Sequence, residues 1–471
     1  MEDIKCDIGM IGLGVMGRNL VLNFADHGYS VAGFDKDKSK VAQLEKEAGS
    51  RKIFGSDILE DFIKLLRKPC AVMMLVPAGT PVDAVIDELV PLLSPNDLII
   101  DGGNSHFTDT NKRLKELSAK NIHFLGVGIS GGENGARFGP SFMPGGNRDA
   151  YERIRPVLEA SSAHVNGENC VTYLGPGSAG HYVKMVHNGI EYALMQVIAE
   201  SYDVLKRGLS LNNLQLHKVY TEWNKRQLKS FLIEISADIF LKKDDETDAF
   251  LIDKILDEAK QKGTGKWTSQ DAMEIQVPVP VIDAAVSMRD LSAYKSEREV
   301  ASKILYGPEF KIEEENEPFI RQLERALYFA MITIYAQGMA MLNAASIEYN
   351  YGLMLKDVAK IWRGGCIIRA ALLEDICAGL DKNTGLTNIL IDPFLAREIL
   401  NRQDDIRAII KTAVECGIPV PGLSASLAYF DSYRSGWLPA NLVQAQRDYF
   451  GAHTYERIDE KGFFHTQWNH I

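Results

Sequence analysis

The six cysteines, Cys6, Cys70, Cys170, Cys366, Cys377 and Cys416, are scattered through the 471-residue chain without one Cys-x-x-Cys pair. No histidines cluster at metal-ligand spacing either, so the sequence offers no disulfide framework and no metal site, and it suits a reducing, cytoplasmic setting. Positive charge is in deficit: 52 Lys and Arg against 63 Asp and Glu give a formal charge of −11. That balance argues against nucleic-acid binding through the overall field, and any anionic ligand needs a local basic pocket. No apolar run reaches the roughly 20 residues of a bilayer span, and Glu2 and Asp3 stand where a targeting segment would carry basic and apolar residues. A membrane partner is therefore not expected. What is present is a hydrophobic content of 46% with 9% aromatics, which suits a folded chain of two or three domains.

Short β-rich runs alternate with helical patterns over the first 178 residues: Ile8-Gly9-Met10-Ile11, Ser30-Val31-Ala32-Gly33-Phe34, residues 71–76, Leu98-Ile99-Ile100 and residues 123–127. The runs are continuously apolar, as strands of a parallel sheet covered on both faces should be. They predict an α/β domain, a Rossmann-type doubly wound sheet, over residues 1–178. After the small-residue junction Gly175-Pro176-Gly177-Ser178-Ala179-Gly180 strand signals nearly vanish, and residues 179–434 read as a large all-α domain. Its first helix is expected to open near Gly180 and run unbroken past Leu205, about 25 residues, and residues 319–342 form a second long apolar helix. The runs Lys242-Lys243-Asp244-Asp245-Glu246 and Glu313-Glu314-Glu315-Asn316-Glu317 read as solvated loops. Residues 435–471 make a C-terminal tail whose Trp437, Tyr449, Phe450, Phe463, Phe464 and Trp468 must bury on this chain or on another subunit.

The turn Gly12-Leu13-Gly14-Val15-Met16-Gly17 follows a strand and opens a helix, so backbone amides and the helix dipole can receive a pyrophosphate. Asp35 ends the second strand, where an acid binds ribose hydroxyls and repels a 2′-phosphate, which favours NAD. Lys36, Lys38 and Lys40 beyond it keep NADP possible. On a helix, Lys184, His187, Asn188 and Glu191 fall at i, i+3, i+4 and i+7 and share one face, with Val183, Val186, Ile190 and Leu194 anchoring the other. A buried Lys184 would lose its proton readily enough to be a base, and a desolvated Glu191 would keep one to give. Lys184 and His187 also have plainer readings, an ion-paired lysine and a structural histidine. Gln261-Lys262-Gly263-Thr264-Gly265-Lys266-Trp267-Thr268 has the flexibility, cations and hydroxyls of a phosphate or sugar loop. Arg289 and Arg447 are candidates for an anion clamp.

Together with Asp101-Gly102-Gly103-Asn104-Ser105, Ser130-Gly131-Gly132, the word Trp362-Arg363-Gly364-Gly365-Cys366-Ile367-Ile368-Arg369 and residues 446–453, these motifs run nearly the full length in one order. The chain resembles the 6-phosphogluconate dehydrogenase family. That resemblance implies a metal-independent oxidative decarboxylation in the pentose phosphate pathway, with Lys184 as general base and Glu191 as general acid. It implies that Asn104, Ser130, Gly131, Gly132, His187 and Asn188 hold the sugar acid and that Tyr192, Lys262, Thr264 and Arg289 hold its phosphate. Arg447 and His453 match tail residues that the family contributes from the partner of a homodimer.

Some positions depart from the family pattern. Asp35-Lys36-Asp37 replaces an Asn-Arg-Thr word common in NADP-using members, and Pro77 in Val76-Pro77-Ala78 replaces a commoner lysine beside the cofactor. Both changes remove cations that a 2′-phosphate would use. Asn134 replaces a common glutamate, with no consequence that can be derived. Two rival readings share part of the motif set: a dehydrogenase of a small β-hydroxyacid, which has no use for Lys262, Arg289, Arg447 or His453, and a dinucleotide sensor without catalysis, which has none for an intact Lys184 and Glu191.

Overall fold

The computed structural model describes residues 5–308, 312 and 316–468; Glu313, Glu314 and Glu315 of the second acidic run lie outside them. Seven strands form one sheet: β1 (Ile8–Ile11), β2 (Val31–Phe34), β3 (Ile53–Ser56), β4 (Ala71–Met74), β5 (Leu98–Asp101), β6 (His123–Ser130) and β7 (Ser141–Gly146). Their order is β3-β2-β1-β4-β5-β6-β7. Successive side chains feed two hydrophobic clusters, Ile8, Met10, Met73, Leu98 and Ile100 in one, Ile11, Val72, Met74 and Ile99 in the other. This double covering is why the runs are apolar throughout. The strand order reverses between β1 and β4, which opens a crevice at their carboxyl ends where such sheets bind ligands.

Two strands escape the apolar pattern. β3 is buried only at Ile53 because it lies at the sheet edge. β7 contains Pro144, Gly145 and Gly146 and reads as loop, yet it pairs antiparallel with β6 at the other edge, where proline is tolerated. A small hairpin, His164–Val165 with Glu168–Asn169, turns through Asn166 and Gly167 at φ 53° and 80°, the Asn-Gly pair that a tight hairpin turn requires.

Helix Ala179–Asp203 is 25 residues long and continues as a π turn over Val204–Gly208. Every residue from 179 to 190 is buried. Val183, Val186, Ile190 and Leu194 pack into the core as their spacing demands. The helix lies directly on the backbone of β6 and β7: a Cβ on Gly180 would stand 2.2 Å from the Gly126 carbonyl oxygen, and one on Gly128 would stand 2.4 Å from Lys184 Cβ. Glycine at those two places lets Lys184 settle over β6.

Helix Asn316–Glu348, 33 residues, packs against Ala179–Asp203 and Gln403–Glu415. Among the described residues it is the one helix long and apolar enough to cross a bilayer, but 72% of its most apolar window is buried inside the protein. Its apolarity serves a core that it enters from all sides. All six cysteines are free and buried, and Lys242, Lys243, Asp245 and Glu246 are exposed as a solvated loop should be.

Sheet and helices form one compact unit, Met1–Ser426, and Leu427–Ile471 form a second. Within the second, Asp448 of helix Ala440–Gly451 is fully buried and organises the segment C-terminal to that helix. It accepts hydrogen bonds from the Thr454 and Thr466 N–H groups at 3.0 Å, from Trp468 Nε1 at 2.8 Å and from His465 Nδ1 at 2.9 Å. Burial alone would raise its carboxyl, but these donors hold it down at about 2. Trp437, Phe450 and Phe463 stay largely exposed in the single chain.

Candidate active site

At the end of β1 Gly12 turns with φ 91°, and a Cβ there would lie 2.5 Å from the Leu75 carbonyl oxygen. A Cβ on Gly17 would lie 1.9 Å from the Gly12 carbonyl oxygen, whereas above Gly14 there is nothing within 4 Å. The turn is therefore tight, helix Val15–Asp26 is drawn against it, and open space is left at Gly14. No side chain caps that helix start, so its first N–H groups are available to an anion. A cavity of about 430 Å³ adjoins the turn, walled by Gly12, Gly14, Asp35, Lys36, Val76 and Pro77. These residues fit a dinucleotide. Leu13 is buried with its N–H on Asp35 Oδ2 at 2.9 Å; Val15 and Ala78 are exposed.

Asp35 is well braced. Its Oδ1 accepts the Asp37 N–H at 2.9 Å, and Lys40 pairs with its Oδ2 at 3.3 Å. Lys36 pairs with Glu88 at 2.7 Å and Lys38 with Asp57 at 3.1 Å. Each of the three lysines beyond β2 is thus matched by a carboxylate.

A second cavity of about 420 Å³ gathers Asn104 from the end of β5, Ser130, Gly131 and Gly132 from the end of β6, and Lys184, Asn188, Glu191 and Tyr192 from the long helix. Lys262 and Thr264 enter at the start of helix Thr264–Glu274, and Arg289 enters from helix Pro280–Ser292. The Arg289 guanidinium lies 3.5 Å over the Tyr192 ring. Met16 also lines this cavity, which brings the dinucleotide turn to its edge. The Gln261–Thr268 word splits: Thr268 donates within the protein, to the Met185 or Thr264 carbonyl at 2.9 and 3.0 Å, and Lys266 is exposed outside the wall.

His187 is placed differently from the sequence expectation. It is completely buried and forms no part of the wall. Its Nε2 meets Ser130 Oγ at 3.2 Å and its Nδ1 meets Asn188 Oδ1 at 3.0 Å. It backs the two residues that do face the cavity.

Charge in this cavity is set by desolvation. Burial pushes the Lys184 ammonium down, against the opposing pull of Glu191 and Cys366. Burial pushes the Glu191 carboxyl up, against Lys184 and Arg289. Burial, with Lys184 close by, drives His187 well below its usual value. An amine pushed toward its neutral form and a carboxyl pushed toward its protonated form, on one helix face and about 10 Å apart along the axis, are suited to take a proton at one end of a small substrate and give one at the other.

The sequence missed Lys260 and Ile367, which also line the wall. Lys260 stands immediately before the Gly-rich word and adds a cation. Ile367 belongs to the Gly364-Gly365-Cys366 word, whose Gly365 carbonyl lies where a Gly131 Cβ would be 2.5 Å away; that word braces the turn after β6. Arg447 and His453 belong to the second compact unit, where Arg447 bonds Gln444 Oε1 at 3.0 Å.

A base alone moves protons, but a base beside a dinucleotide crevice moves them together with a hydride, and this places the protein among the dinucleotide-dependent dehydrogenases. Residues 7–175 match the model described as the NAD binding domain of 6-phosphogluconate dehydrogenase, and residues 180–468 match its C-terminal domain. The chain belongs to the 6-phosphogluconate dehydrogenase family and is an oxidoreductase. It is 52% identical, over 98% of its length and 99% of the relative's, to the NADP(+)-dependent, decarboxylating 6-phosphogluconate dehydrogenase of Bacillus subtilis. A decarboxylating relative from Synechococcus elongatus is 53% identical over 98% of each chain. The solved 6-phosphogluconate dehydrogenase of Plasmodium falciparum, described with NADP+ and with 6-phosphogluconate, superposes with a TM-score of 0.95 at 43% identity, over 98% of this chain and 100% of that one.

Proposed function

We propose that the chain converts 6-phospho-D-gluconate to D-ribulose 5-phosphate and CO2 with reduction of NAD(P), as a step of the pentose phosphate pathway in the cytoplasm. The observation that carries the reading is the pair of buried Lys184 and partly buried Glu191 facing a cavity with three cations, Lys260, Lys262 and Arg289, at its rim. A phosphate-free substrate gives those cations nothing to do. When bound, the nicotinamide accepts the hydride that leaves C3. Neutral Lys184 takes the proton of the C3 hydroxyl as that hydride departs. The C1–C2 bond of the resulting 3-keto acid then breaks, CO2 leaves, and the electron pair moves onto the C3 oxygen. Lys184, now an ammonium, stabilises that oxygen and returns its proton. Glu191 protonates C1 of the enediol, the former C2, while the hydroxyl on the former C3 gives its proton back to neutral Lys184 and becomes the carbonyl of the ketose. The ammonium does the work a Lewis acid would do, so no metal is invoked.

In this reading Asn104, Ser130, Gly131, Gly132 and Asn188 hold the sugar acid with His187 behind them, and Tyr192, Lys262, Thr264 and Arg289 hold the phosphate. Arg447 and His453 complete the same site of a partner in a homodimer. The turn from Gly12 to Gly17, with Asp35, Lys36, Val76, Pro77, Ala78 and Asn104, receives the cofactor. NAD is favoured over NADP, because the Asp35 carboxylate stands where a 2′-phosphate would come and its neighbouring lysines are already paired. Six buried free thiols suit a reducing compartment.

The test is a steady-state assay with 6-phosphogluconate, NAD and NADP being supplied separately and reduced cofactor and CO2 both followed. Equal yields of the two products, with NAD giving the higher kcat/KM, are expected. Reduced cofactor without CO2 would overturn the decarboxylation, and a preference for NADP would overturn the role given to Asp35.

A further inference from the structure

Arg113, on helix Phe107–Ser118, is only 3% exposed, and its polar partners come from two segments, the one that follows β4 and the one at the end of β5. Its Nε donates to Asp83 Oδ1 at 2.7 Å, in the first turn of helix Thr80–Leu89, and its Nη2 to the carbonyl of Gly79, which ends the loop between β4 and that helix, at 3.1 Å. Its Nη1 donates to Ser105 Oγ at 3.2 Å and lies 3.5 Å from Asp101 Oδ2, both at the end of β5. Asp101 is itself buried and shapes its loop, accepting the Gly103 N–H at 3.0 Å and the Ser105 hydroxyl at 2.6 Å.

These loops matter because of what they carry. The one after β4 presents Val76 and Pro77 to the dinucleotide cavity, and the one after β5 presents Asn104 to the cavity that holds Lys184. A second connection leaves the same strand end. His181, one turn before Lys184, is buried, and burial pushes its ring below the usual imidazole range, against the pull of Asp101. Its Nε2 donates to the Asp101 carbonyl at 3.0 Å, so its Nδ1 must accept, here from the Thr110 hydroxyl at 2.6 Å.

We infer that Arg113 is a positioning residue for hydride transfer: it grips both loops with one planar guanidinium and, through Asp101 and His181, fixes them against the helix that bears Lys184. The inference rests on the proposed cofactor site. Only a fork of fixed geometry can hold four acceptors from the two segments at once, which a lysine point charge cannot do. Misplacing reacting groups by about 1 Å costs up to roughly 100-fold in rate, so slack between these loops should appear in the chemistry.

The experiment compares Arg113→Lys, Arg113→Met and Asp83→Asn with the wild type in cofactor KM, 6-phosphogluconate KM, kcat and the isotope effect on kcat with 3-deuterated substrate. Arg113→Lys is expected to raise cofactor KM and lower kcat by about tenfold each, to move substrate KM far less, and to enlarge the isotope effect because hydride transfer becomes slower than the other steps. Arg113→Met should be at least as impaired. Asp83→Asn removes only a half-exposed partner and keeps the fold if Arg113 variants are insoluble; it should show the same pattern more weakly. A purely structural arginine would lower Tm and leave KM, kcat and the isotope effect as they are, and that result would overturn the inference. Cofactor dissociation constants measured without substrate separate this from the proposed reaction: unchanged values in soluble variants sink the role of Arg113 even if the wild-type chain turns over another acid, while lack of wild-type turnover with 6-phosphogluconate sinks only the reaction.

Discussion

Lys184 keeps 7% of its surface exposed, and the next charged group along its helix face is Glu191. Desolvation moves the two groups toward each other in pH, the amine down and the carboxyl up. The proposed mechanism requires the amine neutral and the carboxyl protonated, so kcat/KM should fall at low pH as Lys184 gains a proton and at high pH as Glu191 loses one. Lys184→Met should abolish turnover while leaving cofactor affinity near wild type, and Glu191→Gln should flatten the alkaline limb and slow ketose formation. A pH profile with the same alkaline limb in Glu191→Gln removes that residue from the mechanism. If Asp35 repels a 2′-phosphate as proposed, Asp35→Asn should shift the ratio of kcat/KM values toward NADP by about tenfold, the size of a 1.4 kcal/mol change, as initial rates with both cofactors will show. These residues were readable because helix spacing and a strand end place them. Lys260, Ile367 and Arg113 were not, since their importance comes from the neighbours that fold against them: Ile367 reaches the wall from a word more than 170 residues beyond Lys184.

Helix Ala179–Asp203 is the element on which the site depends, and the burial of all its residues from 179 to 190 anchors it and desolvates the groups it carries. Farther along it Glu200 is 3% exposed, and its two carboxylate oxygens accept the Gly422 and Leu423 N–H groups at 2.7 and 2.9 Å, capping helix Pro421–Tyr433. Burial outweighs those donors and raises its carboxyl to about 7. The folded state then holds a proton that the unfolded chain has released above about pH 4.5, so this group lowers stability as pH rises from about 4.5 to 7, by about 3 kcal/mol, and adds no further loss above that. Glu200→Gln should therefore lose less Tm between pH 5 and pH 7.5 than the wild type does. Equal slopes in thermal melts of the two proteins would contradict this. At the element scale the parallel strands were legible because continuous apolarity follows from double covering. β3 and β7 were not, because an edge strand is free of that demand and β7 even carries Pro144 and two glycines.

In the whole molecule the second compact unit is ordered around Asp448, yet leaves Trp437, Phe450 and Phe463 exposed on a single chain. Exposed aromatic surface of this kind fits a subunit contact. If the tail completes the partner's site, chains carrying Lys184→Met and chains carrying Arg447→Ala, each inactive as homodimers, should regain activity when co-expressed, with about a quarter of sites complete in a random mixture. No recovery on mixing, measured against each homodimer, would mean that the tail serves its own chain. The sequence by itself determined the doubly wound sheet, the helical remainder, the glycine turn and the stripe from Lys184 to Glu191, because each of these arises from periodicity or from a local conformational need. Tertiary structure alone decided the acidities of Lys184 and Glu191, the withdrawal of His187 behind Ser130, the lysines paired around Asp35 and the grip of Arg113. Desolvation and hydrogen-bond partners belong to neighbours that lie close in space and far apart along the chain.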